Sequence, residues 1–279
     1  MNFDSDITAI ASRVDFSALN NRSVLITGGS GFVGSWLQLG LQAAFKQGVK
    51  YSVCLLDTQA FKIWMQDDPV HYDFIFHLAP VFDRHVLHKL QDCNPHRIVY
   101  ASSGAVYAKE LNDYGRGKID AENALMASGM DVRIARLFTF CAPFMRMDQK
   151  AVVNFVRNAM DGKPLFVAGD GSTVRSYMYG VDLAVWLWEI MLHGDYLSIY
   201  NVGSERPIEI LKLAQTVRET INPDVDIDIL YDQKPEYFKR YVPDTGKIRY
   251  QLGVTEQYLI EHQICQLAEW MKEGEDETI

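Results

Sequence analysis

The chain has 279 residues, 48% of them hydrophobic and 23% charged, which suits one large domain or two closely joined ones and rules out a disordered chain. With 36 acids against 27 basic residues the net charge is −9, which argues against a nucleic-acid binder but leaves room for a small anionic ligand held by local positive groups. No apolar run reaches the roughly 18 residues that a membrane span needs, and the acidic start MNFDSDITAI lacks the basic-then-apolar order of a signal peptide. Cys54, Cys93, Cys141 and Cys265 form no CxxC pair and no zinc-ligand spacing with histidine, so the expectation is a cytoplasmic protein with reduced, buried thiols and no metal.

In chain order, the first twenty-odd residues are polar and weakly periodic, and read as a short helix or arm packed on the surface. Ser23–Thr27 is a short β-branched run ending in Gly28-Gly29-Ser30-Gly31, and Phe32–Lys46 is periodic as a helix. Apolar runs follow at Tyr51–Leu56, Asp73–Leu78, Arg97–Ala101 and Val132–Leu137, and their continuous hydrophobicity predicts strands buried on both faces of a parallel sheet. Helical stretches at Phe82–Gln91 and Lys118–Met126 separate most of them. Alternating strand and helix predicts an α/β fold with a Rossmann-type doubly wound parallel sheet. Beyond Pro143 the texture changes. Helices are predicted at Val152–Met160, Leu183–Leu192, Ile208–Ile221 and Glu256–Lys272, with a short strand at Leu165–Val167. The division expected is a dinucleotide-binding domain over 1–143, to which segments near 176–203 return, and a smaller α/β C-terminal substrate-binding lobe over 144–279.

Gly28, Gly31 and Gly34 fall in a GxxGxxG spacing between the first strand and the first long helix. Glycine lets the backbone turn tightly and approach a pyrophosphate, whose charge meets the amide groups of a helix N-terminus. Asp57, at the end of the next strand, is placed to hold an adenosine ribose and to repel a 2′-phosphate, which favours NAD over NADP. Tyr114 and Lys118 are four apart at the start of a helix and so share a face. An ammonium beside a phenol favours phenolate and makes it a usable base. Ser103, at a strand end, adds a hydrogen bond to the same substrate oxygen.

These segments resemble the extended short-chain dehydrogenase/reductase family, in its NAD-dependent nucleotide-sugar epimerase/dehydratase branch. TGGSGFVGSWL at 27–37, FHLAP at 76–80, YASSGAVY at 100–107, YGRGK at 114–118 and ARLFTFCAP at 135–143 carry the likeness. NFVRNAMDGKPLFVAGDGSTVRSYMYGVDLA at 154–184, NVGS at 201–204 and RYVPDT at 240–245 extend it in order along nearly the whole chain. The resemblance implies a catalytic trio of Ser103, Tyr114 and Lys118. It implies NAD held by Gly28, Gly31, Phe32, Val33, Gly34 and Asp57, with His77, Leu78 and Ala79 lining the crevice and Tyr114 and Lys118 touching the cofactor. A nucleotide-diphosphate sugar would meet Ser103, Thr139, Asn154, Arg175 and Arg240, with Arg175 clamping the diphosphate. Arg146 and Tyr179 are further candidates for that pocket.

Two departures narrow the activity. Gly104 and Ala105 stand where the family's sugar dehydratases carry an Asp–Glu pair, so dehydration by that route is disfavoured. The chain is also trimmed: sixteen positions separate Asp57 from Asp73, and only ten residues lie between Ser103 and Tyr114. A smaller sheet and a shallower adenine pocket are expected, and the resemblance implies a homodimer. The expected function is a 4-epimerase working through a transient 4-keto sugar. A nucleotide-sugar 4-ketoreductase, a 4,6-dehydratase and a non-catalytic nucleotide-sugar binding subunit stay open.

Overall fold

The computed structural model describes residues 1–146, 150–231 and 239–274. Helix α1 (Asp4–Ala11) precedes strand β1 (Arg22–Thr27), α2 (Phe32–Lys46), β2 (Tyr51–Leu56), α3 (Thr58–Trp64) and β3 (Phe74–His77). Then come α4 (Arg84–Asp92), β4 (Arg97–Ser103), α5 (Asp113–Met126) and β5 (Val132–Leu137). The second half holds α6 (Ala151–Met160), β6 (Leu165–Ala168), β7 (Val174–Arg175), α7 (Gly180–His193) and β8 (Ser198–Val202). It ends with β9 (Ile208–Glu209), α8 (Ile210–Ile221), β10 (Ile227–Leu230), β11 (Arg240–Tyr241), α9 (Gly246–Leu252) and α10 (Ile260–Lys272).

Six strands form a parallel sheet in the order β2-β1-β3-β4-β5-β8. The order reverses beside β1, and that switch opens a crevice at the carboxyl ends of the strands. One face is covered by α1, α2 and α7 around Trp36, Trp186 and Trp188, all fully buried. The other face packs on α3, α4 and α5 through Leu25, Ile75, Leu90, Ile98 and Leu125. A third apolar cluster joins α6, α8 and α10 with β6 around Val153, Leu213 and Leu267. Strands β7, β9 and β11 form a small separate sheet, and β6 pairs with β10.

Three local expectations are corrected. The N-terminal segment does hold a short helix, but it does not merely lie on the surface: Ile10, Phe16 and Leu19 are fully buried in the core shared with α2 and α7. Strand β2 is not buried on both faces, because the chain runs from it through α3 straight back across β1 to β3, leaving β2 at the sheet edge with Val53 43% and Leu55 40% exposed. Helix α10 starts at Ile260 rather than Glu256, and the side chain and carbonyl of Glu256 instead accept from the Glu205 amide and the Arg206 guanidinium.

Candidate active site

The turn after β1 is shaped by contacts that exclude side chains. Gly28 has φ +72°, and a β-carbon on Gly34 would lie 2.2 Å from the Gly29 carbonyl oxygen. Gly31 is the N-cap of α2, and a β-carbon there would meet only the Gly28 carbonyl, at 3.3 Å, before projecting into the space above the helix end. That space is a cavity of about 470 Å³ lined by Gly28, Gly31, Phe32, Val33, Gly34 and Leu78 on one side and by Ser103, Tyr114 and Lys118 on the other. The first turn of a 15-residue helix thus points free amides into an open cradle, the geometry that an anionic pyrophosphate requires.

Asp57 does not line this cavity. Its carboxylate accepts from the Ala60 amide at 2.8 Å as the N-cap of α3. It follows Leu56, whose carbonyl takes the Gly28 and Gly29 amides at 2.7 and 3.0 Å, so acid and turn are neighbours. His77 and Ala79 lie behind the wall. His77 is fully buried with Nδ1 2.8 Å from Thr27 Oγ1, and the Leu78 and Ala79 amides both donate to that oxygen at 3.2 Å. Burial, and then the Lys118 charge, push the His77 pKa down to about 4, so the ring is neutral.

Lys118 is held by two acceptors. Its Nζ donates to the Ala101 carbonyl at 2.8 Å and to the Tyr100 hydroxyl at 3.2 Å, and stands 5.9 Å from the centre of the Tyr114 ring. Burial lowers its pKa to about 8, opposed by Glu122 one helical turn further along α5. Glu122 accepts from both Ser102 Oγ and the Arg136 guanidinium, which fixes α5 against β4 and β5. Helix α5 begins at Asp113, earlier than the apolar pattern suggested, because the Asn112 side chain caps the Gly115 amide at 2.8 Å. Tyr114 therefore lies in the first turn, with its ring 54% exposed toward the cavity.

Ser103 ends β4, and its Oγ accepts from the Ala105 amide at 3.1 Å. A hydrogen bond joins it to Tyr241, a residue that sequence reasoning missed. Burial raises the Tyr241 pKa to about 12, so the phenol stays neutral. Its ring packs on Phe138 at 4.7 Å between centroids, and a β-carbon on Gly104 would lie 2.6 Å from the Tyr241 hydroxyl and 2.7 Å from Phe138. The two rings fill the room that a side chain beyond Ser103 would need. Behind them lies a second cavity of about 560 Å³, lined by Tyr107, Arg136, Asn201, Arg240 and Lys247.

The substrate candidates separate. Arg175 is buried and, with Thr139 and Lys150, lines a pocket of about 190 Å³ that shares Phe138, Phe140 and Lys150 with the glycine-lined cavity. Burial lowers the Arg175 pKa, with Tyr177 and Tyr241 acting the other way. Thr139 directs its hydroxyl to the Ser176 carbonyl. Arg240 pairs with Val174 in the β11–β7 ladder and lines the second cavity instead, while Asn154 is exposed on α6. Arg146 lines the glycine-lined cavity. Tyr179 is a core residue, fully buried and donating to Asp6 at 3.2 Å. Lys150, at the N-cap of α6, was also missed, since nothing in its sequence neighbourhood marks it.

The sequence profile of the NAD dependent epimerase/dehydratase family matches residues 81–203. UDP-glucuronic acid decarboxylase 6 of Arabidopsis thaliana is 28% identical over 294 aligned positions that cover 84% of each chain. Among solved structures, MoeE5 in complex with UDP-glucuronic acid and NAD superposes with a TM-score of 0.76 at 19% identity, over 90% of this chain and 99% of that one. UDP-glucose 4-epimerase from Thermotoga maritima, with UDP-glucose, gives 0.75 at 18%, with the same coverage. At these identities the likeness to solved structures speaks for the fold.

Proposed function

We propose that this chain, matched over residues 81–203 by the NAD dependent epimerase/dehydratase family profile and 28% identical to a UDP-glucuronic acid decarboxylase over 84% of its length, is an enzyme of that family that uses NAD to act at C4 of a nucleotide-diphosphate sugar, as a 4-epimerase. The single observation that carries this reading is the convergence of the glycine turn, Ser103, Tyr114 and Lys118 on one cavity, with no carboxylate at positions 104 and 105. The residues fit the cofactor: Gly31 leaves open space over the α2 N-terminus for a pyrophosphate, and Asp57 stands next to that turn for a ribose.

NAD, when bound, supplies the acceptor and donor of hydride. The chain's own residues handle the proton and the orientation. Tyr114 takes the proton from the C4 hydroxyl and returns it to the 4-keto sugar once the ring has turned its other face. Lys118, cationic below about pH 8, stabilises the negative charge that Tyr114 gains in that step. Ser103 hydrogen-bonds the same C4 oxygen and is itself fixed by the Ala105 amide and by Tyr241. Arg175 and Lys150 receive the diphosphate in the adjoining pocket. Elimination of water across C5 and C6 would need an acid and a base beyond Ser103, and Tyr241 and Phe138 occupy that room.

A second reading is favoured by the decarboxylase name of a relative aligned over 84% of its length. Oxidation at C4 of a sugar bearing a C6 carboxylate creates a β-keto acid. Its C5–C6 bond breaks, carbon dioxide leaves, and the bonding electrons pass into the C4 carbonyl. A proton then adds at C5, and hydride return restores C4. That route also needs no acid pair. The two readings part on product: UDP-glucose giving UDP-galactose supports the first, UDP-glucuronic acid giving a pentose nucleotide and carbon dioxide supports the second, and no turnover of either refutes both. Tyr114→Phe is expected to lower turnover about 10²–10⁴-fold while retained NAD, measured by mass spectrometry of released ligands, stays unchanged. Equal activity of the variant would overturn the role of the phenol.

A further inference from the structure

We propose that His71, Asp73 and His96 form a site for one divalent transition-metal ion of the zinc class, at the pole of the sheet opposite the glycine-lined cavity. Asp73 immediately precedes β3 and His96 immediately precedes β4, and the pairing of Phe74 with Arg97 brings their backbones level. The His96 and Arg97 amides both donate to the Asp73 carbonyl, at 2.9 and 3.2 Å, so two of the ligands ride on one rigid ladder end. One donor atom from each of the three side chains lies within 4.8 Å of the other two.

The partners behind these side chains orient them as a metal's outer contacts do. His71 Nδ1 lies 3.2 Å from the Cys93 carbonyl, which can only accept, so the neutral ring carries its hydrogen there and its lone pair on Nε2. That Nε2 stands 3.9 Å from Asp73 Oδ1, and His96 Nδ1 stands 3.7 Å from the same oxygen. Asp73 Oδ2 accepts from the Ser23 amide and hydroxyl at 2.8 and 2.9 Å, which fixes the carboxylate with Oδ1 toward both rings. Tetrahedral zinc, with bonds of about 2.0–2.1 Å, sets its ligand atoms roughly 3.3 Å apart. Closing the gap takes small rotations of two half-exposed rings. Water completes the fourth position.

One cation already sits at the site. The Arg22 guanidinium donates to Asp73 Oδ1 at 2.8 Å, with a side chain 43% exposed. Asp73 is buried, whereas Arg22 is the exposed member of the pair, and its long arm can swing into solvent. Arg22 is then a competitor, and its removal should tighten metal binding.

Isothermal titration of the 279-residue chain, free of any histidine tag and carrying Cys265→Ser to silence an exposed thiol, tests the site with zinc and with cobalt. The expected result is one saturable equivalent. His71→Ala and His96→Ala should each weaken it at least about tenfold and Ser23→Ala by about 10–100-fold, whereas Arg22→Gln should strengthen it several-fold. Both histidines are exposed, so their replacement leaves the core intact, which circular dichroism verifies. Absence of a saturable equivalent, or equal affinity in the double histidine variant, would overturn the proposal. Because the ligands lie outside the cavity, these outcomes are independent of which sugar is turned over.

Discussion

Gly104 is where a missing side chain has the largest chemical effect. The Tyr241 hydroxyl and Phe138 ring stand 2.6 and 2.7 Å from where its β-carbon would be, and the two rings pack on each other at 4.7 Å between centroids. Gly104→Ala is therefore expected to cost about 1–3 kcal/mol, seen as a lower melting temperature, and Tyr241→Phe in the same chain should recover part of that loss. Alone, Tyr241→Phe removes the hydrogen bond to Ser103 while keeping the ring stack. Turnover should fall about two- to tenfold with retained NAD unchanged. The absence of acids at 104 and 105 was legible in the sequence, as were the glycine turn and the Tyr114–Lys118 spacing. Tyr241 was not, because it reaches Ser103 only through the two-residue pairing of β11 with β7. Local spacing also could not show that His77 and Ala79 face away from the cavity, since that depends on the Thr27 hydroxyl that gathers them.

Among the elements, α2 and β2 fall on the residues the pattern predicted, because their ends are marked by glycine or a polar residue. Helix α1 shows what the pattern hides. Its polar, weakly periodic sequence suggested a short helix or arm packed on the surface, yet Asp6 is 6% exposed and accepts from the Tyr179 hydroxyl at the N-cap of α7. Burial raises the Asp6 pKa from 3.8 to about 6. The folded state thus binds this proton more tightly than the unfolded chain, and the stability so gained is lost as pH rises from about 4 through 6. Asp6→Asn keeps a partner for Tyr179 without the charge. It is expected to gain about 1–3 kcal/mol at pH 7.5 and close to nothing at pH 4, as read by urea unfolding. The burial of β2 was misjudged for a topological reason: apolar composition does not reveal whether a further strand lies outside it.

Across the whole molecule, two buried bases set opposite limits. The His77 pKa is pushed from 6.5 to about 4, and that of Lys118 from 10.5 to about 8. Both folded values lie below the unfolded ones, so stability rises with pH from 4 to 6.5 and again from 8 to 10.5. In the acid window Asp6 runs the other way and offsets His77. The Asp6→Asn chain should therefore lose stability more steeply than the parent between pH 6.5 and 4. In the alkaline window stability and chemistry diverge: turnover should fall above about pH 8 as Lys118 loses its charge, while resistance to urea increases. A pH–rate profile beside denaturation curves checks both. The parallel sheet and the position of its cavity were legible from strand–helix alternation. The convergence of His71, Asp73 and His96 was not, since only the lateral pairing of β3 with β4 assembles it.

The pairing of β11 with β7 leaves this scaffold easy to retune. Tyr241 sits opposite Arg175, and Arg240, one step earlier, sits opposite Val174 and is exposed. Neighbours along a strand alternate in direction, so one residue gained or lost ahead of Arg240 would swing the guanidinium inward and the phenol out. A fixed positive charge would then replace a neutral phenol beside Ser103, so a change of length alone alters the charge that this corner of the cavity presents.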